Sequence, residues 1–344
     1  MNKLLNFEKY VDRIRSACKD AFVNQKFDIP KVPLIKEGYE IYRLEKPLTK
    51  FTEEELEKLV KLIGEITPDE YGIVDSYIKE LGIEALAWYR PFHYLPMDLW
   101  GIYITLYGLR YLVSQIKKFF LHQKSIDALK SAFDILWHHE LFHSLVELFA
   151  LRCELISLQP KYIPYYLAIY KKQYPNCIEE ALANRYVLSR KRLRSVHPYI
   201  VAFFDRQPGY YRKYKDYLGP KFKNGREELC NLIVFLSNKG LPIDDLHPPE
   251  GFSVIDIPTY LVAIRRKSEI PGVLSLIVKG DRLYRYLKRK GCPLVRQRGS
   301  HAIFNVRGRL VSIPIHGDKE VHHKTVKDIL EALNITREEL INEL

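Results

Sequence analysis

Apolar positions recur at intervals of three and four along the longest patterned tract of the chain: Leu129, Phe133, Leu136, Leu141, Leu145 and Leu148. That spacing lines one face of a helix and predicts a helical tract over about 125–156, ended by a turn near Pro160. The same period in Leu56, Leu59, Val60 and Ile63 predicts an earlier helix with Thr52 as its N-cap. A further helix is expected from about Cys177 through EEALANRYVLSRK. Between these tracts, EALAWYRPFHY and LWGIYITLYGL are rich in aromatic and β-branched residues and read as two strands joined around Pro96.

From Arg206 to about Leu276 prolines punctuate the pattern, which leaves one helix at REELCNLIVFLSN in an otherwise irregular stretch. The pattern becomes regular again in the last part of the chain. DRLYRYLKRKG predicts a short helix closed by Gly291. PLVRQRGSHAIFNV and RLVSIPIH predict strands about a turn at Arg307-Gly308, with room for a third short strand, and a final helix runs from Thr325 to Leu333. The order α-β-β(-β)-α is an α+β layer. The expected fold class is therefore α+β. The expected domains are 1–205 (with a helical N-terminal part, 1–84), an irregular extension and linker over 206–277, and a small domain over 278–344.

Composition changes this picture in two ways. The net charge is +12, and the excess is concentrated: Lys279 to Arg309 holds ten Lys or Arg against the single acid Asp281. A basic block interleaved with aromatics points to an anionic polymer such as nucleic acid. The five cysteines are scattered without a C-x-x-C pair, which excludes a cysteine zinc knuckle and argues against a disulfide framework. No apolar run reaches the roughly 18 residues of a membrane span, and the first residues turn charged too early for a signal peptide. A cytoplasmic protein with no membrane partner is expected.

Two constellations carry chemistry. His139-Glu140-Leu141-Phe142-His143 is H-E-x-x-H inside the strongest helical tract. A spacing of four puts both imidazoles on one face, where they can share a cation, with Glu140 beside them as general base. A catalytic zinc needs a third ligand. Glu180 on the following helix is the first candidate, and the adjacent Glu179 competes with it. Asn184, one turn past Glu180, can orient a ligating histidine. Glu147 is expected at the rim or in a structural pair, and His138 in a core or cap role. The second constellation is His301 after Gly299-Ser300, flanked by Arg296 and Arg298. A histidine that titrates near neutral pH can move protons at a phosphodiester.

Two resemblances follow from these residues. His139–His143 followed by Glu180-Ala-Leu-Ala-Asn184 resembles the gluzincin zinc metallopeptidase pattern over about residues 85–200. The resemblance implies Zn2+, with His139, His143 and Glu180 as ligands, Glu140 as base and a peptide or protein substrate. It also implies a small sheet whose edge strand, near Trp100–Leu106, holds that substrate. Many gluzincins carry Asp where this chain has Asn184. The run LVRQRGSHAIF…VSIPIHGDKE…KTVKDILEAL resembles the HicA-type toxins, which are mRNA interferases with a fold similar to the double-stranded-RNA-binding domain. That likeness covers about residues 278–344 and implies His301 as the catalytic histidine of an endoribonuclease, mRNA as substrate and a HicB-like antitoxin as partner. Expected RNA contacts are Arg296, Arg298, Lys319, Lys288, Arg289 and Lys290, with His316 near a strand end. The expected protein is thus a HicA-like endoribonuclease fused to a zinc-peptidase-like domain. The alternatives are a non-catalytic nucleic-acid-binding regulator, and a peptidase whose C-terminal domain only recruits RNA or an antitoxin.

Overall fold

A computed structural model describes residues 16, 23–24, 39–95, 100–170, 177–235, 257–264, 274–276, 278–315, 321, 323–336, 339–340 and 343–344. The secondary structure is mixed α+β and mainly helical, with small sheets. The chain divides into two compact units: Met1–Leu34 with Ile63–Thr259, and Ile35–Leu62 with Tyr260–Leu344.

The first unit is built around the helix Ser125–Ser157, here called the motif helix. It is apolar on nearly every side because it is wrapped by other elements. Phe142, Val146 and Phe149 meet Tyr165 and Ile169 of the helix Tyr162–Tyr170, Leu182 of the helix Ile178–Leu188, and Leu229 and Ile233 of the helix Lys221–Phe235. Two strands, Ala87–Arg90 and Gly101–Thr105, pair antiparallel with Ala87 opposite Ile104. The tract expected to continue as strand past Thr105 turns into the helix Leu106–Phe119. The Thr105 hydroxyl accepts from Gly108 N at 3.0 Å and donates to Leu86 O at 2.8 Å, so this residue closes the hairpin and caps the helix at once.

The edge-strand expectation for Trp100–Leu106 is corrected. Gly101–Thr105 has Ala87–Arg90 on one side, and on the other Ile102 N donates to Pro258 O at 2.9 Å. The edge strand is Ala87–Arg90, buried at both ends and without a second strand neighbour among the described residues. Within the stretch expected to be irregular, Gly209–Tyr217 forms consecutive 3-10 turns packed against Ile178–Leu188, and Lys221–Phe235 is a full helix.

In the second unit, Tyr39–Leu44 runs antiparallel to both Thr259–Ile264 and Leu274–Leu276. The helix Glu53–Ile63 begins with a reciprocal cap: Glu55 N donates to Thr52 Oγ1 and Thr52 N to Glu55 Oε2. The C-terminal part is the helix Gly280–Arg289, three strands, and the helix His323–Leu333. The strands are Leu294–Arg298, His301–Val306 and Arg309–Pro314, an antiparallel meander with His301–Val306 in the middle. The tract read from sequence as one strand is therefore two. Gly299, at φ +55, turns the chain between them. Ala302, Phe304, Val306, Val311 and Ile313 face Leu283, Leu287, Val326 and Ile329 in one core, while His301, Ile303, Leu310 and Ser312 lie on the other face.

Candidate metal centre and nucleic-acid face

The motif helix and Ile178–Leu188 bring His139, His143 and Glu180 together with one ligand atom each within 4.8 Å. His139 Nε2 lies 3.3 Å from His143 Nε2 and 3.3 Å from Glu180 Oε2, and His143 Nε2 lies 3.6 Å from Glu180 Oε2. A tetrahedral zinc bonded at about 2.0–2.2 Å separates neighbouring ligand atoms by roughly 3.3–3.6 Å, so the triangle fits such an ion and leaves one position open.

The outer nitrogens explain why the inner ones face each other. Asn184 Nδ2 donates to Gln207 Oε1 at 3.2 Å and to Tyr211 O at 2.9 Å. Its Oδ1 is thereby turned to accept from His139 Nδ1 at 3.0 Å. Nδ1 of His139 carries the proton, and the lone pair of Nε2 points into the triangle. His143 Nδ1 donates to Glu179 Oε1 at 2.6 Å, and the Tyr165 hydroxyl donates to Glu179 Oε2. Glu179, weighed as a rival ligand, thus holds His143 from behind. Burial would lower the His143 imidazole, but Glu180 and Glu179 raise it well above its ordinary value. Burial would raise Glu180, and the two imidazoles hold it well below the usual carboxylate range.

Glu140 is buried, and its Oε1 has no hydrogen-bond partner among the described residues. Burial pushes its carboxyl up to about 8, against His143, and the Tyr89 amide of the edge strand donates to it. Glu147 is no rim residue. Fully buried, it accepts from Tyr89 Oη (2.5 Å), Phe92 N (3.2 Å), His93 N (3.0 Å) and His93 Nδ1 (2.6 Å). His93 Nε2 then donates to Glu154 Oε2 at 2.8 Å, and Glu154 Oε1 receives Lys161 N and Tyr162 N at the start of the helix that carries Tyr165. Burial would lower His93, but Glu154 and Glu147 raise it to about 9, so it is a buried cation between two carboxylates. Glu140, Glu147 and Glu154 are seven residues apart and share one stripe of the helix. A last group the sequence did not reveal is Glu84, in the 3-10 turn Gly82–Ala85, whose carboxyl hydrogen-bonds to Glu180 and is raised by burial and by that neighbour.

In the second unit His301 is exposed at the start of the middle strand, with Ser300 Oγ 3.1 Å from its Nδ1. Arg298 and Pro314 pair with it across the sheet, and Arg296, two residues from Arg298 and opposite Ile303, is exposed. Lys288 is exposed and lies over the Tyr284 ring at 4.9 Å. Arg289 donates to the Glu343 carbonyl, and Lys290 pairs with the Glu343 carboxylate at 2.6 Å. Lys319, His316 and the side chain of Arg298 lie outside the described residues.

Comparison with known proteins finds a likeness in the second unit's C-terminal part. Residues 280–335 match the family described as the HicA toxin of bacterial toxin-antitoxin. The likeness spans helix, meander and the final helix. No curated protein and no solved structure matches the chain. Among the described residues, no helix is long and apolar enough to cross a membrane.

Proposed function

We propose that the protein is a toxin–antitoxin-type endoribonuclease whose C-terminal domain cleaves mRNA at His301. The observation that carries this reading is the family match over residues 280–335, which are the residues that present His301 on an exposed sheet face. Cleavage by a ribose 2′-hydroxyl needs a base for that hydroxyl, an acid for the leaving oxygen and cations for the charge that develops on phosphorus. His301 serves as the proton carrier, while Arg296 and Arg298, on the neighbouring strand, meet the phosphate, with Lys288, Arg289, Lys290 and Lys319 along the strand of RNA. A HicB-like protein is the expected antitoxin. Purified wild type should fragment RNA. His301→Ala should bind RNA within about twofold of wild type and leave it intact; fragmentation by the variant refutes this assignment.

A second activity is favoured by the triangle of His139, His143 and Glu180 and by the unpartnered Glu140 oxygen beside it. We read the first unit as a zinc metallopeptidase-like domain. When bound, zinc would polarise a carbonyl and lower the pKa of water. The chain's own part is to hold that ion with the three ligands, to fix His143 through Glu179 and His139 through Asn184, and to take up a proton on Glu140. The strand Ala87–Arg90, with no second strand neighbour among the described residues, is the edge that an extended peptide would meet. Elemental analysis of the full chain should find about one zinc, lost in His143→Ala and kept in Glu140→Gln. Metal-free wild type after mild purification overturns the reading.

A further inference from the structure

The HicA-like domain holds a cavity of about 370 Å³ well away from His301. It lies where the C-terminal end of the helix Gly280–Arg289, the Asn305–Gly308 turn and the end of the helix His323–Leu333 converge. From His301 to Asn305 the middle strand advances about 13 Å, at about 3.3 Å per residue. The volume is in the range of small-molecule sites, which begin at roughly 300 Å³.

Its chemistry is specific. Tyr286, Pro293, Leu333 and Ile335 give it apolar walls, and Lys290, Asn305 and Arg307 stand among them. Tyr286 is fully buried, yet its hydroxyl has no hydrogen-bond partner among the described residues. Asn305 Oδ1 accepts from Gly308 N at 2.7 Å, and Arg307 Nη1 donates to Leu333 O at 3.1 Å, so the turn holds both polar side chains in place. Arg307 adopts φ +47, a conformation that a long side chain seldom takes. Lys290 and Arg289 stand over the Tyr286 ring and share Glu343 at the chain end.

We propose that this cavity receives one unstacked ribonucleotide base of the RNA and so sets which sequence reaches His301. A base is flat and largely apolar with polar edges, which matches apolar walls bearing an amide, an ammonium and a guanidinium. Its phosphate meets Lys290 or Arg289 in exchange for Glu343. The inference rests on the reading of this domain as RNA-cleaving.

The test uses the full chain and the four ribonucleoside 5′-monophosphates, with ribose 5-phosphate as a base-free control, followed by saturation-transfer NMR. At least one monophosphate should bind more tightly than ribose 5-phosphate. Cys292→Phe, which fills the cavity, should weaken that nucleotide at least tenfold. His301→Ala should leave it unchanged. Equal binding of ribose 5-phosphate, or undiminished nucleotide binding in a folded Cys292→Phe, overturns the proposal. So does the absence of any binding, which would leave the cavity to a protein partner. RNA cleavage that persists with no nucleotide bound there sinks this inference alone. Nucleotide binding without any RNA cleavage sinks the endoribonuclease reading instead.

Discussion

A carboxylate behind a ligating histidine tunes a metal site, because it fixes the ring and raises its basicity. Glu179 and Tyr165 do this for His143, while the neutral Asn184 only orients His139. Glu179→Gln and Tyr165→Phe should each lower zinc affinity about 10–100-fold while the chain stays folded. Competition with a fluorescent chelator measures this, and unchanged affinity in both variants would contradict the role given to Glu179. His93 makes a different prediction. Its folded-state pKa of about 9 lies above the ordinary value of 6.5, so its stabilising contribution is complete below about 6.5 and is lost as pH rises through 9. Removing the cation between Glu147 and Glu154 in His93→Gln should cost about 3–5 kcal/mol. Denaturant unfolding at several pH values should show the wild type losing that advantage between pH 7 and 10.

At the scale of elements, what was legible was local. H-E-x-x-H and the Glu180-to-Asn184 spacing each lie within one or two helical turns, so sequence period alone puts their side chains on common faces. Residues supplied by distant segments gave no such signal. His93 reaches Glu147 and Glu154 across more than fifty residues, and Glu84 reaches Glu180 across nearly a hundred, so only packing of the hairpin onto the motif helix makes them neighbours. The Gly299-Ser300 turn was a signal the sequence did carry: the polar run Arg296 to His301 with a Gly-Ser pair breaks the strand pattern there. The edge strand was misplaced because two adjacent strands look alike in composition, whereas only pairing decides which one is the edge. Gly82 shows how tightly the elements around the site fit. It sits at φ +70, and a Cβ there would approach the Tyr211 ring to 2.6 Å. That ring stacks against His139, and the Tyr211 carbonyl holds Asn184. Gly82→Ala should destabilise the unit by about 1–3 kcal/mol and weaken zinc binding, read by thermal unfolding with and without metal.

For the whole molecule, the proposed reading divides two chemistries between the two units. The basic tract from Lys279 to Arg309 and the HicA family match fall in the second unit, while the buried glutamates and the histidine pair fall in the first. If about four cations contact phosphates, RNA affinity should fall with a log–log salt slope near −3, at roughly −0.7 per contact for single strands. A flat salt response would remove the phosphate-binding role from this face. The claim that the RNA chemistry belongs to the second unit alone is tested most directly by the RNA-cleavage rate of the full-length protein. The comparison runs from untreated wild type to chelator-treated wild type, folded Glu140→Gln and folded His301→Ala. The account predicts rates within about twofold of wild type for the first two and no cleavage for the last. Loss of cleavage on chelation or in Glu140→Gln, with His301 intact, would contradict it.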